Sequence, residues 1–257
     1  MLRAALGLTA ALTACAVLSN AALGAAPKIP KYIAAAVADP SRPEADKKRD
    51  ADRKPAETLA FAGIKPGQSV AELLPNGGYY TRLLSKVVGP KGHVYALQPP
   101  KRPNAPATAP DFAAQLKELA SQPGFSNLSV ETFAPGGEGL VPMPVDVVWT
   151  TNNYHDLHNI PNMDIAAFNK RVFDALKPGG TYFIGDHATA PGAGTSATRT
   201  LHRIDPETVK SEVTAAGFKL AGQSDVLHNP DDPHTAPVFD PSIRGKTDQF
   251  LLKFTKP

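Results

Sequence analysis

Polar residues that suit ligand binding follow three of the short apolar stretches in this chain. Glu72 ends the first stretch and is followed directly by LPNGGYYT, a turn that contains two glycines. The second stretch ends at Trp149, before TTNNYHDLHN, and the third ends at Ile184, before Asp186 and His187. Glycines let the backbone approach a ligand closely, and imidazole and carboxylate groups transfer protons or bind metal ions. These segments therefore predict a ligand site with groups for acid–base chemistry.

The pattern of apolar residues predicts the elements that position these segments. Strand-like runs occur at 69–73, 93–97, 128–132, 145–149, 182–184, 218–226 and 248–254. Segments with helical spacing of apolar residues lie between most of these runs. The clearest helix start signal is Asp205 as N-cap, followed by Pro206 at the first helical position. The alternation ends in two strands with no helix between them. It predicts an α/β, Rossmann-like, doubly wound sheet of seven mostly parallel strands, with one antiparallel strand near the edge.

A doubly wound sheet binds its ligand at the carboxyl ends of the strands. We therefore expect the three polar segments to meet there. The run LKPGG at 176–180 is interpreted as the stop signal of the helix that precedes the fifth strand.

Length and composition indicate one globular domain. The chain has 257 residues, of which 42% are hydrophobic and 20% charged, and this excludes a disordered or polytopic membrane protein. A net charge of +3 is too small to indicate nucleic acid or an anionic membrane as the partner. We expect a small-molecule substrate instead. The single cysteine excludes an internal disulfide and a cysteine-based zinc cluster.

The N-terminus has the pattern of a secretory signal, with Arg3, an apolar run from Ala4 to Leu18 and a small-residue site near Gly24. The run is too short to span a membrane. LTAC, which ends at Cys15, also resembles a bacterial lipobox, so lipid attachment is the alternative to cleavage near Gly24. Both routes predict export to the periplasm or cell envelope.

We expect a signal peptide at 1–24, a tether and surface helix at 25–50, and one domain at 51–257. The charge run at 44–54 is interpreted as a solvated helix face.

From about residue 49 onward, the sequence resembles the class I S-adenosylmethionine-dependent methyltransferases. Within that superfamily it resembles a bacterial family of exported predicted methyltransferases. The resemblance is carried by VAELLPNGGYYT, LKPGGTYFIGDH, TLHRID and DPSIRGKTDQFLLKF. It implies an enzyme that uses S-adenosylmethionine as its cofactor and methylates an acceptor that the sequence does not identify.

The resemblance also implies a cofactor site. In the superfamily, a D/E-x-G-x-G-x-G turn after the first strand holds the methionine part of the cofactor, and Glu72 is its acidic residue here. Leu74 and Asn76 stand where the superfamily has glycine. Gln98 stands where an acidic residue binds the ribose hydroxyls. The candidate cofactor-binding residues are Glu72, Pro75, Asn76, Gly77, Gly78, Tyr79, Gln98, Asn152 and Asn153.

Methyl transfer is an in-line displacement that needs alignment, and it needs a base only when the nucleophile carries a proton. His155 is the first candidate for that base, with Tyr154 or Asp186 to orient it or the substrate, and His187 is the second.

Two alternatives remain open. One is a metal-dependent hydrolase or lyase with His155, Asp186, His187 and His202 as ligands. The other is an exported binding module whose altered loop takes a small ligand. The export signal favours both, because S-adenosylmethionine is made in the cytoplasm.

Overall fold

A seven-stranded sheet forms the centre of the structure, a computed structural model that describes residues 28–134, 136–137 and 139–257. The predicted signal segment and Cys15 lie outside the described residues. The strands are β1 (Ser69–Leu73), β2 (His93–Gln98), β3 (Leu128–Thr132), β4 (Val145–Thr151), β5 (Leu176–His187), β6 (Lys219–Ser224) and β7 (Gln249–Thr255). Their order in the sheet is β3-β2-β1-β4-β5-β7-β6. Only β7 runs antiparallel to its neighbours, β5 and β6, which confirms the predicted fold.

Helices cover both faces of the sheet. They are α1 (Lys31–Val37), α2 (Glu44–Lys47), α3 (Asp50–Arg53), α4 (Pro55–Ala62), α5 (Tyr79–Val88), α6 (Phe112–Ser121), α7 (Tyr154–Leu157), α8 (Ile165–Ala175) and α9 (Pro206–Ala215). Helices α1, α4, α5 and α6 pack on one face, where Trp149 is fully buried. Helices α7, α8 and α9 pack on the other face, where Tyr182 is fully buried. Burial on both faces explains why the central strands are continuously apolar.

Most helices begin and end near the start and stop signals predicted from the sequence. The Asp205 carboxylate accepts the backbone N–H of Glu207 and caps α9, as predicted. The LKPGG run ends the preceding helix as predicted, since α8 stops at Ala175, and the run itself belongs to β5. The pairing of β4 with β5 jumps from Val145–Leu176 to Val147–Thr181. Residues 177–180 therefore bulge out of the strand directly after the end of α8.

The N-terminal helices pack on the domain and do not lead away from it. Ile33 in α1 is fully buried in the core. The charge run at 44–54 is largely exposed, as predicted for a solvated face, but Asp46 is buried and accepts a hydrogen bond from Arg82 at 2.7 Å. Arg42 is also buried and pairs with Asp50 at 2.7 Å. Paired charges allow this polar segment to fold over the carboxyl ends of the strands.

No helix among the described residues combines the length and the apolar character needed to cross a membrane.

Candidate functional site

A cavity of about 750 Å³ lies at the carboxyl ends of β1, β4 and β5. Its walls come from the three polar segments singled out in the sequence, from the region of α2 and α3, and from the loop at 238–249. The volume is within the usual range for a small-molecule or cofactor site. The predicted cofactor-binding residues in the wall are Glu72, Pro75, Asn76, Gly77, Tyr79, Asn152 and Asn153. The structure therefore brings together segments that lie up to 115 positions apart, since Glu72 and His187 both face this space.

The loop between β1 and α5 has an unusual backbone. Leu74, Asn76 and Gly78 have φ angles of 52°, 51° and 76°. These are the three positions at which the superfamily pattern has glycine, so the left-handed conformation is kept where glycine is absent. A non-glycine residue in this conformation costs roughly 1–2 kcal/mol. The surrounding contacts must therefore hold the loop in place.

Hydrogen bonds from neighbouring strands and helices hold this loop. The Leu74 N–H donates to the Leu97 carbonyl at 2.9 Å. The Asn153 side-chain amide donates to the Leu74 carbonyl at 3.1 Å, and Arg82 donates to the Gly77 carbonyl at 2.9 Å. Asn153 thus links the end of β4 to the loop after β1. This link couples two of the predicted segments.

Gln98 supports the loop and does not face the cavity. Its side-chain carbonyl accepts the backbone N–H of Asn76 at 2.9 Å, and the residue is buried. A contact between Gln98 and a ribose was implied by the resemblance. In the structure, the Gln98 carbonyl is already used by the protein itself.

The two glycines of the loop differ in what surrounds them. Gly77 lines the cavity, and a Cβ built there would meet only the ring of Phe112, at 4.0 Å. Gly78 is buried, and a Cβ there would lie 3.0 Å from Leu116 and 3.2 Å from the Arg82 guanidinium. Gly77 is therefore the position at which a ligand can approach the backbone, whereas Gly78 is required by packing and by its φ angle.

Glu72 is a buried carboxyl group at the floor of the cavity. It accepts a hydrogen bond from the Thr81 hydroxyl at 2.6 Å. Burial raises the pKa of Glu72 to about 7, against the opposing effects of Thr81, Arg82 and Arg53. A carboxyl group of this kind becomes fully ionised when a cation replaces the missing solvation.

Arg49 and Arg53 line the cavity opposite this floor, and the sequence interpretation missed both. The Arg53 guanidinium lies 4.4 Å from the centre of the Tyr79 ring, a cation–π distance. Burial, followed by the positive charge of Arg53, lowers the pKa of Arg49. The nearby carboxylate of Asp50 is engaged by Arg42 and by the Tyr79 hydroxyl. The signal in the sequence was the i, i+4 spacing of two arginines within the charge run.

His155 faces the cavity from α7 and is only 2% exposed. Asp186, fully buried at the end of β5, accepts from the His155 ring Nδ1 and from its backbone N–H, both at 2.8 Å. Burial lowers the pKa of His155, but the charge and hydrogen bond of Asp186 outweigh it, so the net shift is upward. Asp186 therefore holds the ring with Nδ1 toward its own carboxylate and Nε2 toward His202 and Asp156.

The two other predicted catalytic residues have different surroundings. His187 lines the cavity, and its Nδ1 lies 2.8 Å from the Thr247 hydroxyl. Burial lowers the pKa of His187 to about 4, so its ring is neutral at neutral pH. Tyr154 is fully buried, and its hydroxyl donates to Glu212 and accepts from Asn169. Tyr154 anchors α7 to α8 and α9, and its hydroxyl orients neither His155 nor a substrate.

The four residues of the metal-ligand alternative do not share one site. His155 and His202 meet, with Nε2 and Nδ1 3.3 Å apart. Asp186 lies on the opposite edge of the His155 ring, at Nδ1, and His187 bonds to Thr247. The third group near His155 and His202 is instead Asp156. In the sequence, Asp156 belongs to the polar segment after Trp149 but has no predicted role, because nothing local distinguishes its carboxylate from that of Asp186.

Comparison with known proteins yields limited sequence similarity and extensive structural similarity. No protein-family model matches the chain. Over 97 residues, 37% of this chain, it is 27% identical to the protein-L-isoaspartate O-methyltransferase of Ignicoccus hospitalis. The match spans only 41% of that protein.

Solved structures match over most of the chain. A SAM-dependent methyltransferase from Aquifex aeolicus superimposes with a TM-score of 0.55 at 19% identity, covering 84% of this chain and 99% of that one. The [4+2]-cyclase SpnF superimposes with a TM-score of 0.55 at 16% identity, covering 83% of this chain and 81% of that one. The chain therefore has the fold of the class I S-adenosylmethionine-dependent methyltransferases, as the sequence resemblance implied. Membership of the exported bacterial family stays a prediction.

Proposed function

We propose that this protein is an S-adenosylmethionine-dependent methyltransferase that acts on a small-molecule acceptor. The observation that carries the proposal is the loop after β1. It keeps left-handed backbone at Leu74, Asn76 and Gly78 and places Gly77 in the cavity wall, beside the buried Glu72. Strained backbone of this kind persists where a function requires it. The fold and the partial similarity to an isoaspartate methyltransferase support the same class.

The charges of the cavity suit the methionine part of the cofactor. That part carries an ammonium and a carboxylate group, and the adjoining sulfur is a cation. Glu72 offers a carboxylate to the ammonium group from the floor of the cavity. Arg49 and Arg53 offer guanidinium groups to the carboxylate from the opposite wall. The ammonium group would also favour the ionised form of Glu72, because its positive charge compensates for the solvation that the buried carboxylate lacks.

The acceptor belongs at the wall formed by α7 and the end of β5. The acceptor nucleophile attacks the methyl carbon in line with the carbon–sulfur bond. That bond breaks with its electron pair going to sulfur, which becomes the neutral thioether of S-adenosylhomocysteine. His155 and His187 line this wall, and we assign activation of the acceptor to His155 because Asp186 orients it. The helices α2 and α3 help to enclose the reacting groups.

The test of this proposal is calorimetric titration of the purified protein with S-adenosylmethionine and S-adenosylhomocysteine. We expect both to bind. Gly77→Val should abolish binding, because its side chain enters the cavity, while the free energy of unfolding stays nearly unchanged. Gly136→Val is the matched control, since a Cβ at Gly136 meets no atom within 4 Å and the residue is exposed. A wild-type protein that binds neither compound would remove the proposal, as would a folded Gly77→Val variant with normal affinity.

A second experiment separates an enzyme from a binding module on the same fold. The protein is incubated with S-adenosylmethionine and a library of small acceptors, and S-adenosylhomocysteine is measured. His155→Asn should reduce turnover by about 10²–10⁴-fold while cofactor affinity is retained, the range for losing one positioned acid–base group. Tight cofactor binding with no product formed from any acceptor class would favour the binding module.

A further inference from the structure

Three side-chain donor atoms converge at the acceptor wall of the cavity. His155 Nε2 lies 3.3 Å from His202 Nδ1 and 3.4 Å from Asp156 Oδ1. The third edge of the triangle, between His202 Nδ1 and Asp156 Oδ1, measures 3.6 Å. Two imidazole nitrogens and one carboxylate oxygen are a common ligand set for divalent metal ions in proteins.

The size of this triangle matches tetrahedral coordination. Zinc binds nitrogen and oxygen ligands at about 2.0–2.2 Å, which places neighbouring ligands of a tetrahedron about 3.3 Å apart. Octahedral coordination at the same bond length would require edges of about 3.0 Å. We propose that His155, Asp156 and His202 bind a divalent first-row transition metal ion, and that zinc is the ion their spacing fits.

The surroundings of His155 support this assignment independently. Metal-binding histidines almost always donate their second ring nitrogen to a carboxylate or carbonyl, which fixes the ring and raises the basicity of the ligating nitrogen. Asp186 makes that contact at His155 Nδ1, and it also accepts the His155 backbone N–H. The ring is thus fixed with Nε2 directed at the other two donors. This second contact is what distinguishes the cluster from a chance meeting of polar side chains.

The third ligand, His202, is held by a strained backbone. Its φ angle is 56°, a left-handed conformation that is uncommon for residues other than glycine. Its ring lies against Phe239, with the centroids 4.9 Å apart. The Val238 N–H donates to the Leu201 carbonyl and ties this loop to the one at 238–245. This left-handed backbone places His202 Nδ1 in the cluster. Strained backbone of this kind is found at functional sites, where it positions a side chain.

The ion would keep an open coordination position toward the cavity. His155 and Asp156 both line the cavity, and three protein ligands with one free position are typical of catalytic zinc sites. Resting on the proposed function, this position suits an acceptor with a hydroxyl group. With Nε2 bound to the ion, His155 activates the acceptor through the metal and does not itself accept the proton. Coordination lowers the pKa of a bound hydroxyl, which loses its proton to solvent. The coordinated oxygen anion then attacks the sulfonium methyl, and the two opposite charges cancel as the carbon–sulfur bond breaks.

The experiment measures metal content by mass spectrometry and zinc affinity by competition with a chromophoric chelator. We expect one zinc per chain in the wild-type protein and loss of that zinc in Asp156→Asn and His202→Ala. Asp186→Asn should weaken zinc affinity by about 10–100-fold, the usual cost of removing such an outer contact. Cobalt substitution should give the intense visible absorption of a tetrahedral site, which His202→Ala removes.

His187→Gln is the control, because His187 faces the same cavity and lies outside the triangle. It should keep full zinc affinity. Zinc loss in His187→Gln alone, or a folded wild-type protein that binds no zinc at micromolar concentration, would overturn the inference. The contact between His155 and His202 would then be an ordinary hydrogen bond.

S-adenosylhomocysteine titration of His202→Ala separates the two proposals. Retained cofactor binding with zinc lost supports both the metal site and its independence from the cofactor site. Zinc binding by a wild-type protein that binds no cofactor would leave the metal site standing and remove the methyltransferase assignment.

Discussion

Asp186 holds His155 at two points, accepting its backbone N–H with one carboxylate oxygen and its ring Nδ1–H with the other, each at 2.8 Å. Both residues are buried, so the contact joins the end of β5 to α7 without solvent between them. The carboxylate thereby fixes the position of the short helix and the direction of the imidazole together. One residue of the sheet thus determines which nitrogen of His155 the cavity receives.

Breaking this contact should cost stability as well as function. Asp186→Asn removes the charge of a buried pair, and we expect the free energy of unfolding to fall by about 3–5 kcal/mol. Urea denaturation measures the change. Asp174→Asn is the control, because Asp174 and Lys170 form an exposed pair whose loss should cost less than about 1 kcal/mol. Equal effects of the two substitutions would contradict a structural role for the Asp186 contact.

The two loop glycines should respond differently to valine. Gly78→Val should lower stability by roughly 1–3 kcal/mol, because its φ of 76° and its contact with Leu116 leave no room for a branched side chain. Gly77→Val should leave stability nearly unchanged. Thermal melting of both variants checks this, and a large loss of stability in Gly77→Val would show that its cavity-facing position has been misassigned.

The left-handed backbone at Asn76 can be tested directly. Asn76→Gly restores the superfamily residue, and we expect stability within about 1 kcal/mol of wild type, since relief of strain offsets the greater freedom of the unfolded chain. Asn76→Val should lower stability by about 1–2 kcal/mol, because a β-branched residue is poorly tolerated at a φ of 51°. Urea denaturation midpoints provide the measurement. A Val variant as stable as the Gly variant would mean that the loop does not hold this conformation in solution.

Glu72 should make stability depend on pH. Its pKa is about 7 in the folded protein against an ordinary 4.5, so the folded state binds the proton more tightly. Stability is therefore greatest below pH 4.5 for this group and decreases as the pH rises through 7, by roughly 3 kcal/mol in total. The groups whose charge acts on Glu72 are Arg53 and Arg82, and both favour its ionised form.

Glu72→Gln isolates this effect, because the amide does not titrate. The difference in unfolding free energy between wild type and Glu72→Gln should change between pH 5 and pH 8. The wild type should become less stable relative to the variant as the pH rises. A difference that stays constant across this range would mean that the pKa of Glu72 is unshifted.

Export is a prediction from the sequence alone. Residues 1–30 fused to a reporter that is active only outside the cytoplasm should give signal, and a reporter confined to the cytoplasm would contradict the prediction. Cys15→Ser then separates the two routes. Loss of membrane attachment indicates lipidation, whereas unchanged secretion of the soluble protein indicates cleavage near Gly24.

The order of the helices and strands could be predicted from the sequence. Apolar periodicity and helix caps are local properties, so the seven strands, the Asp205 cap and the turn after Glu72 follow from neighbouring residues. Ligands bind at the carboxyl ends of parallel strands, and this rule predicts the location of the cavity from the order of the elements. Leu74 and Asn76 were identified as departures from a glycine pattern. The backbone nevertheless keeps the left-handed conformation there. It does so through contacts from β2, from α5 and from Asn153, which local sequence does not encode.

The pairing of the polar residues depends on tertiary contacts that the sequence does not reveal. In the sequence, Asp156 follows the apolar run that ends at Trp149 and Asp186 follows the one that ends at Ile184. Their spacing in the chain does not reveal which edge of the His155 ring each one meets. The packing of α7 against β5 places Asp186 behind the ring and Asp156 in front of it, beside His202. Asp46, in the charge run predicted to be a solvated helix face, is buried by the tertiary structure in the same way. A charge pattern records which residues are polar, whereas the fold of the chain determines which of them are enclosed.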